Sequence, residues 1–256
     1  MVALIGASMG RATRRVCSGL MALLVLVGCA GAQEQTDEAR SATSDTALNV
    51  LTDAERASGW ALLFDGHSLD GWRFYDRDET PEGWAAQDGL LVRVGSGGDI
   101  ITDREFTDFE LTLEWRVGEA GNSGVFYRAA KGEERIYHSA PEMQILDDAG
   151  HLDGQSPLTS AGSNYGLHAV PRGVVHAAGA WNRSRVVVEG THVEHWLNGT
   201  RVVEYDFGSP EWEGLVADSK FAAWPEYGRA ARGHIGLQDH GDVVWYRNIK
   251  IREIGR

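Results

Sequence analysis

Residues Phe109 to Val117 (FELTLEWRV) alternate strictly. Phe109, Leu111, Leu113, Trp115 and Val117 fall on one side, and Glu110, Thr112, Glu114 and Arg116 on the other. A period of two belongs to a strand with one buried face and one wet face. The same texture recurs downstream. Val186 to Val188, Val193 to Leu197 and Val202 to Tyr205 read as three short strands. The first two are joined around Gly190-Thr191 and the last two by Asn198-Gly199, the dipeptide best suited to a two-residue hairpin turn. Trp245 to Ile254 reads as a final strand with Trp245, Arg247, Ile249 and Ile251 on one face. No stretch from Trp60 onward sustains a helical period. A short helix is expected earlier, at Thr52 to Ser58, with Thr52 as N-cap and Glu55 closing a capping box. Abundant Gly (32) and scarce Pro (6) suit turns between many strands. The expected fold is all-β, two antiparallel sheets packed face to face.

The N-terminus has a different pattern. Arg11, Arg14 and Arg15 precede the short apolar run Leu20 to Val27, which is too short to span a bilayer. Leu26-Val27-Gly28-Cys29 then resembles a bacterial lipobox. The reading is a lipoprotein signal peptide over residues 1–28, with Cys29 as the lipidated first residue; the plainer reading is an ordinary signal peptide with a chance Cys. Residues 29–50 are small and polar, a flexible tether that cannot bury enough area to offset its ordering entropy. Residues 51–256 form the folded domain, expected to reach the membrane only through the lipid of the exported, envelope-anchored chain.

Charge and cysteine use narrow the function. The whole chain carries net −13, and removing residues 1–28 takes away three Arg and no acid, leaving −16. Such a surface repels phosphate backbones, so no nucleic-acid partner is expected. The chain has two Cys, Cys17 in the leader and Cys29 at its end. The domain is thus expected to hold no disulfide and no Cys nucleophile.

Several segments, in order, are similar to one family. They run from Gly59–Gly66 (GWALLFDG) and Ser68–Trp72 (SLDGW) through Asp88–Leu91 and Phe109–Leu111 to Gly121–Arg128 (GNSGVFYR) and Glu142–Asp148 (EMQILDD). Gly179–Asn182, Leu197–Gly199, Gly236–Gly241 (GLQDHG) and Arg247–Ile251 complete the set. The chain resembles the 3-keto-disaccharide hydrolase family, also described as 3-keto-glucoside lyase/hydratases. That resemblance implies a concanavalin A-like jelly-roll sandwich, oxidised (3-keto) glucosides or disaccharides as substrates, and use of a divalent metal ion. No spacing in the sequence identifies a metal or its ligands. The fold is shared with lectins, so the competing reading is a non-catalytic carbohydrate-binding module with Trp and Tyr platforms.

Alternation selects site candidates. Glu142 and Gln144 share a face opposite Met143 and Ile145; Gly124, Phe126 and Arg128 share one; Gln238 and His240 share one opposite Leu237. One sheet face could collect a carboxylate, an amide, a guanidinium and an imidazole, the groups that hold sugars and titrate near neutrality. Glu142-Met143-Gln144-Ile145-Leu146-Asp147 also departs from the Glu-x-Asp-x-x-Glu strand of laminarinase-like enzymes. An amide replaces the middle acid, which argues against a retaining pair of opposed carboxylates. A 3-keto sugar needs no such pair, because the ketone makes the C2 proton removable. His240 and Glu142 are the candidate base and acid, in either order. Lys220, in the family-like Ser219-Lys220-Phe221, would hold the enolate or else be a solvated charge. Asn122, Arg128, Gln144, Gln238 and Tyr165 would orient the sugar, although Arg128 equally could only pair with Glu142. Asp147 to Gly150 reads more simply as a turn, and Trp181-Asn182 as a packing element.

Overall fold

The computed structural model describes residues 47–255. The signal peptide, most of the tether and Cys29 lie outside the described residues. Thirteen strands occur among them: β1 (Trp60–Leu62), β2 (Trp72–Phe74), β3 (Trp84–Gln87), β4 (Leu90–Arg93), β5 (Ile100–Phe106), β6 (Phe109–Val117), β7 (Asn122–Ala129), β8 (Glu142–Leu146), β9 (Asn182–Glu189), β10 (His192–Leu197), β11 (Thr200–Asp206), β12 (Gly233–Leu237) and β13 (Val244–Glu253). They form two antiparallel sheets. The larger runs β11-β10-β9-β6-β13-β4-β3, with β1 also paired to β13; the smaller runs β2-β5-β12-β7-β8. This is the all-β sandwich expected.

The core lies between the sheets. Phe109, Leu111, Leu113, Trp115 and Val117 all point into it and are at most 2% exposed, as the alternation of β6 requires. Val125, Tyr127, Met143, Ile145, Ile235 and Leu237 meet them from the smaller sheet. A buried polar chain crosses the interior. The imidazole Nδ1 of His195 faces the Gly162 carbonyl oxygen at 3.0 Å, so Nδ1–H donates there and Nε2 accepts from the Tyr127 hydroxyl at 2.8 Å. Tyr205 in turn donates to Tyr127 at 2.7 Å. Asn198 and Gly199 both have positive φ (49° and 82°), the left-handed pair that closes the β10–β11 hairpin.

Three expectations change. In β13 the register slips between Arg247 and Lys250, where Asn248 has φ 52°. The bulge reverses parity: Val244, Tyr246, Ile249 and Ile251 are buried, while Trp245 and Arg247 face outward. The body also starts before residue 51. Asn49 is 5% exposed, and its amide and that of Asn248 each accept the other's backbone N–H at 2.8 Å, so residues 49–50 are not tether. The helix α1 (Asp53–Ala57) carries the capping box expected of Thr52 and Glu55, but a second helix, α2 (Pro210–Ala217), also forms. Its local signals were legible: Ser209 caps it, Pro210 opens it and Glu211 and Glu213 fill its first turn.

Candidate active site

On the outer face of the smaller sheet, at the end marked by β7, β8 and the residues after β12, lies a cavity of about 220 Å³. Core residues alternate with cavity residues along each strand. Glu142 and Gln144 line the cavity from β8, Asn122 from β7, and Gln238 and His240 from the loop after β12. Lys220 and Tyr165 line it from loops. Seven of the eight expected cavity residues are therefore brought together.

Each is placed by identifiable bonds. Residues 162–165 lie along β8, with Gly162 N donating to Gln144 O (2.8 Å) and Tyr165 N to Glu142 O (3.0 Å). That pairing sets Tyr165 beside Glu142. Gln238 N donates to Gly124 O at 3.0 Å, extending the sheet by one step. Between Gln238 and His240, the Asp239 carboxylate accepts from Arg93 Nε (2.6 Å), Gly97 N (3.0 Å) and Gly98 N (2.9 Å). This buried anchor turns its two neighbours toward the cavity. Lys220 begins a 3-10 turn, Lys220–Ala223, capped by Ser219. The next residue, Phe221, stacks on Tyr227 (4.0 Å), which continues through Trp212 and Tyr205 to His168 in one column of parallel rings. The Lys220 ammonium sits 4.4 Å from the Tyr165 ring centre and 5.8 Å from that of Tyr137.

Arg128 is the exception. Its φ of 50° makes a bulge in β7, so its side chain leaves the face of Gly124 and Phe126. The guanidinium donates to Thr107 O (3.1 Å), Gly190 O (2.8 Å) and Asp108 Oδ1 (3.3 Å). It ties loops at another edge and pairs neither with Glu142 nor with the cavity.

Three cavity neighbours escaped the sequence reading. Tyr137 and Asp153 line the cavity, and His151 faces Asn122. Tyr137 and Asp153 lie on the 3-10 turns Ile136–His138 and Leu152–Gln155, and His151 caps the second, each too short for periodicity to announce a direction. The Tyr165 hydroxyl donates to Asp153 Oδ2 at 3.2 Å, and burial, then the Asp153 charge, pushes that phenol up to about 12. His151 Nδ1 accepts from Asp153 N at 3.1 Å, so its proton sits on Nε2. Nε2 lies 3.4 Å from the Asn122 amide. The amide nitrogen is the atom facing Nε2, and Asn122 Oδ1 is a buried acceptor without a protein partner. Gln238 Oε1 is a buried acceptor likewise without one.

Glu142 is the most perturbed group of the cavity. It is 7% exposed, and burial pushes its carboxyl up to about 8, against the pull of the Lys220 ammonium. It is protonated at neutral pH. Gly124 makes room for it: a Cβ there would fall 2.0 Å from Glu142 Oε1. Asp147, the shortened last acid of the strand motif, is turned away, its Oδ2 accepting from Ala120 N at 2.9 Å. The strand thus presents one carboxyl and one amide to the cavity, not an opposed pair.

Neither metal nor aromatic platform emerges as simply. Among the described residues, the His/Asp/Glu group with ligand atoms in mutual reach is His192, Glu194 and Glu204, away from the cavity and bridged by Arg201. Among the described residues, the cavity shows no such group of three His, Asp or Glu ligand atoms. Trp60, Trp181, Trp196 and Trp245 each carry a guanidinium over the ring at 3.9–5.4 Å. Each of those rings therefore already has a guanidinium on one face.

Comparison with known proteins places the chain among relatives. A family profile described as a 3-keto-alpha-glucoside-1,2-lyase-like domain matches residues 59–252. The chain is 33% identical over 273 residues to a 3-keto-disaccharide hydrolase of Bacteroides thetaiotaomicron, covering 89% of this chain and 94% of that one. Two crystal structures of Parabacteroides distasonis proteins described as glycosyl hydrolases are also similar. One is 32% identical with TM-score 0.75, covering 82% of this chain and all (100%) of that one. The other is 33% identical with TM-score 0.60, covering 76% and 99%.

Proposed function

The chain belongs to the family of 3-keto-alpha-glucoside-1,2-lyase-like domains, and from that premise we propose that it cleaves 3-keto glycosides by elimination and then hydration. The observation that carries this reading is Glu142, a single buried carboxyl that keeps its proton to about pH 8. A ketone at C3 acidifies the C2 hydrogen, and the glycosidic oxygen on C1 lies β to that ketone. His240, exposed at the cavity edge, takes the C2 proton as a neutral imidazole. The electron pair moves onto the C3 oxygen, where the Lys220 ammonium holds the enolate. As the ketone re-forms, the C1–C2 double bond forms, the C1–O bond breaks and Glu142 gives its proton to the departing oxygen. In the second half Glu142, now a carboxylate, takes a proton from water. The hydroxide adds to C1, and the His240 imidazolium returns a proton to C2. The net result is hydrolysis. Gln144, Gln238 and Tyr165 bind the ring hydroxyls.

The test is incubation with a 3-keto glucoside and its unoxidised parent, with mass detection of the 2-hydroxy-3-keto-glucal and of the released alcohol. The oxidised sugar should turn over, with solvent deuterium entering at C2, and the parent should be inert. His240→Ala should lose about 10²-fold or more in rate. Equal turnover of the parent sugar refutes elimination. We propose also that the chain is exported and lipidated at Cys29; labelling with a fatty-acid analogue should be lost in Cys29→Ala.

A further inference from the structure

A second hollow of about 420 Å³ adjoins the cavity, and the two share Tyr165 and Lys220 as walls. Their sizes differ in meaning. At about 220 Å³ the cavity is below the usual range for sites that enclose a whole small molecule, whereas the adjoining groove lies within it. The cavity has room for one sugar ring, so the other half of a glycoside must lie beyond it. The groove is where the shared walls lead.

Leu158, Leu167, Leu215 and Phe221 form its apolar wall, and Leu158 is 41% exposed along it. The groove's three hydroxyls are already engaged as donors. Thr159 Oγ1 donates to Asp153 O at 2.6 Å. Ser219 Oγ donates to Val216 O at 2.9 Å and accepts from Phe221 N at 3.1 Å. The Tyr165 hydroxyl donates to Asp153. Beyond the Lys220 ammonium, Asp218 is the remaining polar side chain, exposed at the C-cap of α2. A second sugar entering here would shed water from its hydroxyls and find few partners, which binding sites do not tolerate. An apolar group would lose nothing of the kind.

We propose that this groove is the aglycone subsite, and that it selects 3-keto glycosides whose departing half is apolar, an aryl or arylalkyl alcohol, over those whose departing half is a sugar. This rests on the elimination reading above. The geometry fits it: the shared wall holds Tyr165, whose backbone N donates to Glu142 O at 3.0 Å, so an aglycone in the groove leaves its C1 oxygen near the acid.

The experiment compares 3-keto glucosides that share a ring and differ in the departing alcohol: 2-phenylethanol, methanol and glucose, each as both anomers. Alkoxide leaving groups keep the chemistry comparable. The wild-type protein should favour the phenylethyl compound by about tenfold or more in kcat/KM over the disaccharide, the scale of a few buried methylenes. Leu158→Ser and Leu215→Ala should each reduce that ratio severalfold. A ratio near one, or one unmoved by both variants, overturns the subsite while leaving elimination standing. Absence of turnover with all three refutes elimination itself. In that event binding of unoxidised phenylethyl and methyl glucosides by calorimetry still reads the groove: equal affinities, or a phenylethyl preference that survives Leu158→Ser, overturn it.

Discussion

Glu142 makes stability depend on pH in a direction opposite to that of most carboxylates. Its pKa is raised from 4.5 to about 8 by burial. In the unfolded chain the group releases its proton near 4.5; in the folded chain it keeps it to about 8. The folded state therefore binds more protons across this window, and stability is lost as pH rises through it. One pKa unit corresponds to about 1.36 kcal/mol, so between about pH 5 and pH 8 the penalty grows by about 3 kcal/mol. Glu142→Gln keeps the shape and removes the titration. Urea unfolding of both proteins should show the stability difference moving in favour of the Glu142→Gln variant by that amount over the window. Asp99, pushed up to about 6 by burial, acts on Glu142 and titrates within the same window. Repeating the pair in an Asp99→Asn background isolates the Glu142 contribution. Parallel curves for wild type and Glu142→Gln in both backgrounds would refute the claim that the cavity holds a neutral acid. The corresponding kinetic expectation is a fall in kcat/KM above about pH 8, as Glu142 ionises.

Gly124→Ala should displace the Glu142 side chain, since the new methyl would stand 2.0 Å from Oε1; turnover should fall by about 10²-fold or more while circular dichroism stays native. Trp212→Ala removes the middle of the ring column behind Phe221 and should cost about 3–5 kcal/mol in urea unfolding, with KM rising before global unfolding because Lys220 loses its support. Arg128→Met should destabilise by about 2–3 kcal/mol, the cost of leaving the carbonyls of Thr107 and Gly190 without their charged donor. Its KM for a 3-keto glucoside should not change; a large rise would place Arg128 at the sugar after all.

What the sequence determined by itself was whatever repeats with a local period or carries a local cap. The strict alternation of β6, the Asn198-Gly199 hairpin and the Thr52/Glu55 capping box are decided by neighbours a few residues apart. The same local rule placed Glu142 and Gln144 on one face, and Gln238 and His240 on one face, correctly. It failed at Arg128 and Asn248, because a residue in the left-handed region inserts a bulge and reverses the parity of everything after it. Nothing in either residue's immediate neighbours announces that. At Asn248 the bulge is held by a partner 199 positions away, Asn49, and at Arg128 by carbonyls of two distant loops. Tyr137, Asp153 and His151 were hidden for a related reason: they lie on or beside single 3-10 turns, too short for a period to announce which way a side chain points. The raised Glu142 pKa is likewise a tertiary property, since the burial that produces it comes from elements far apart in the chain closing around one carboxyl.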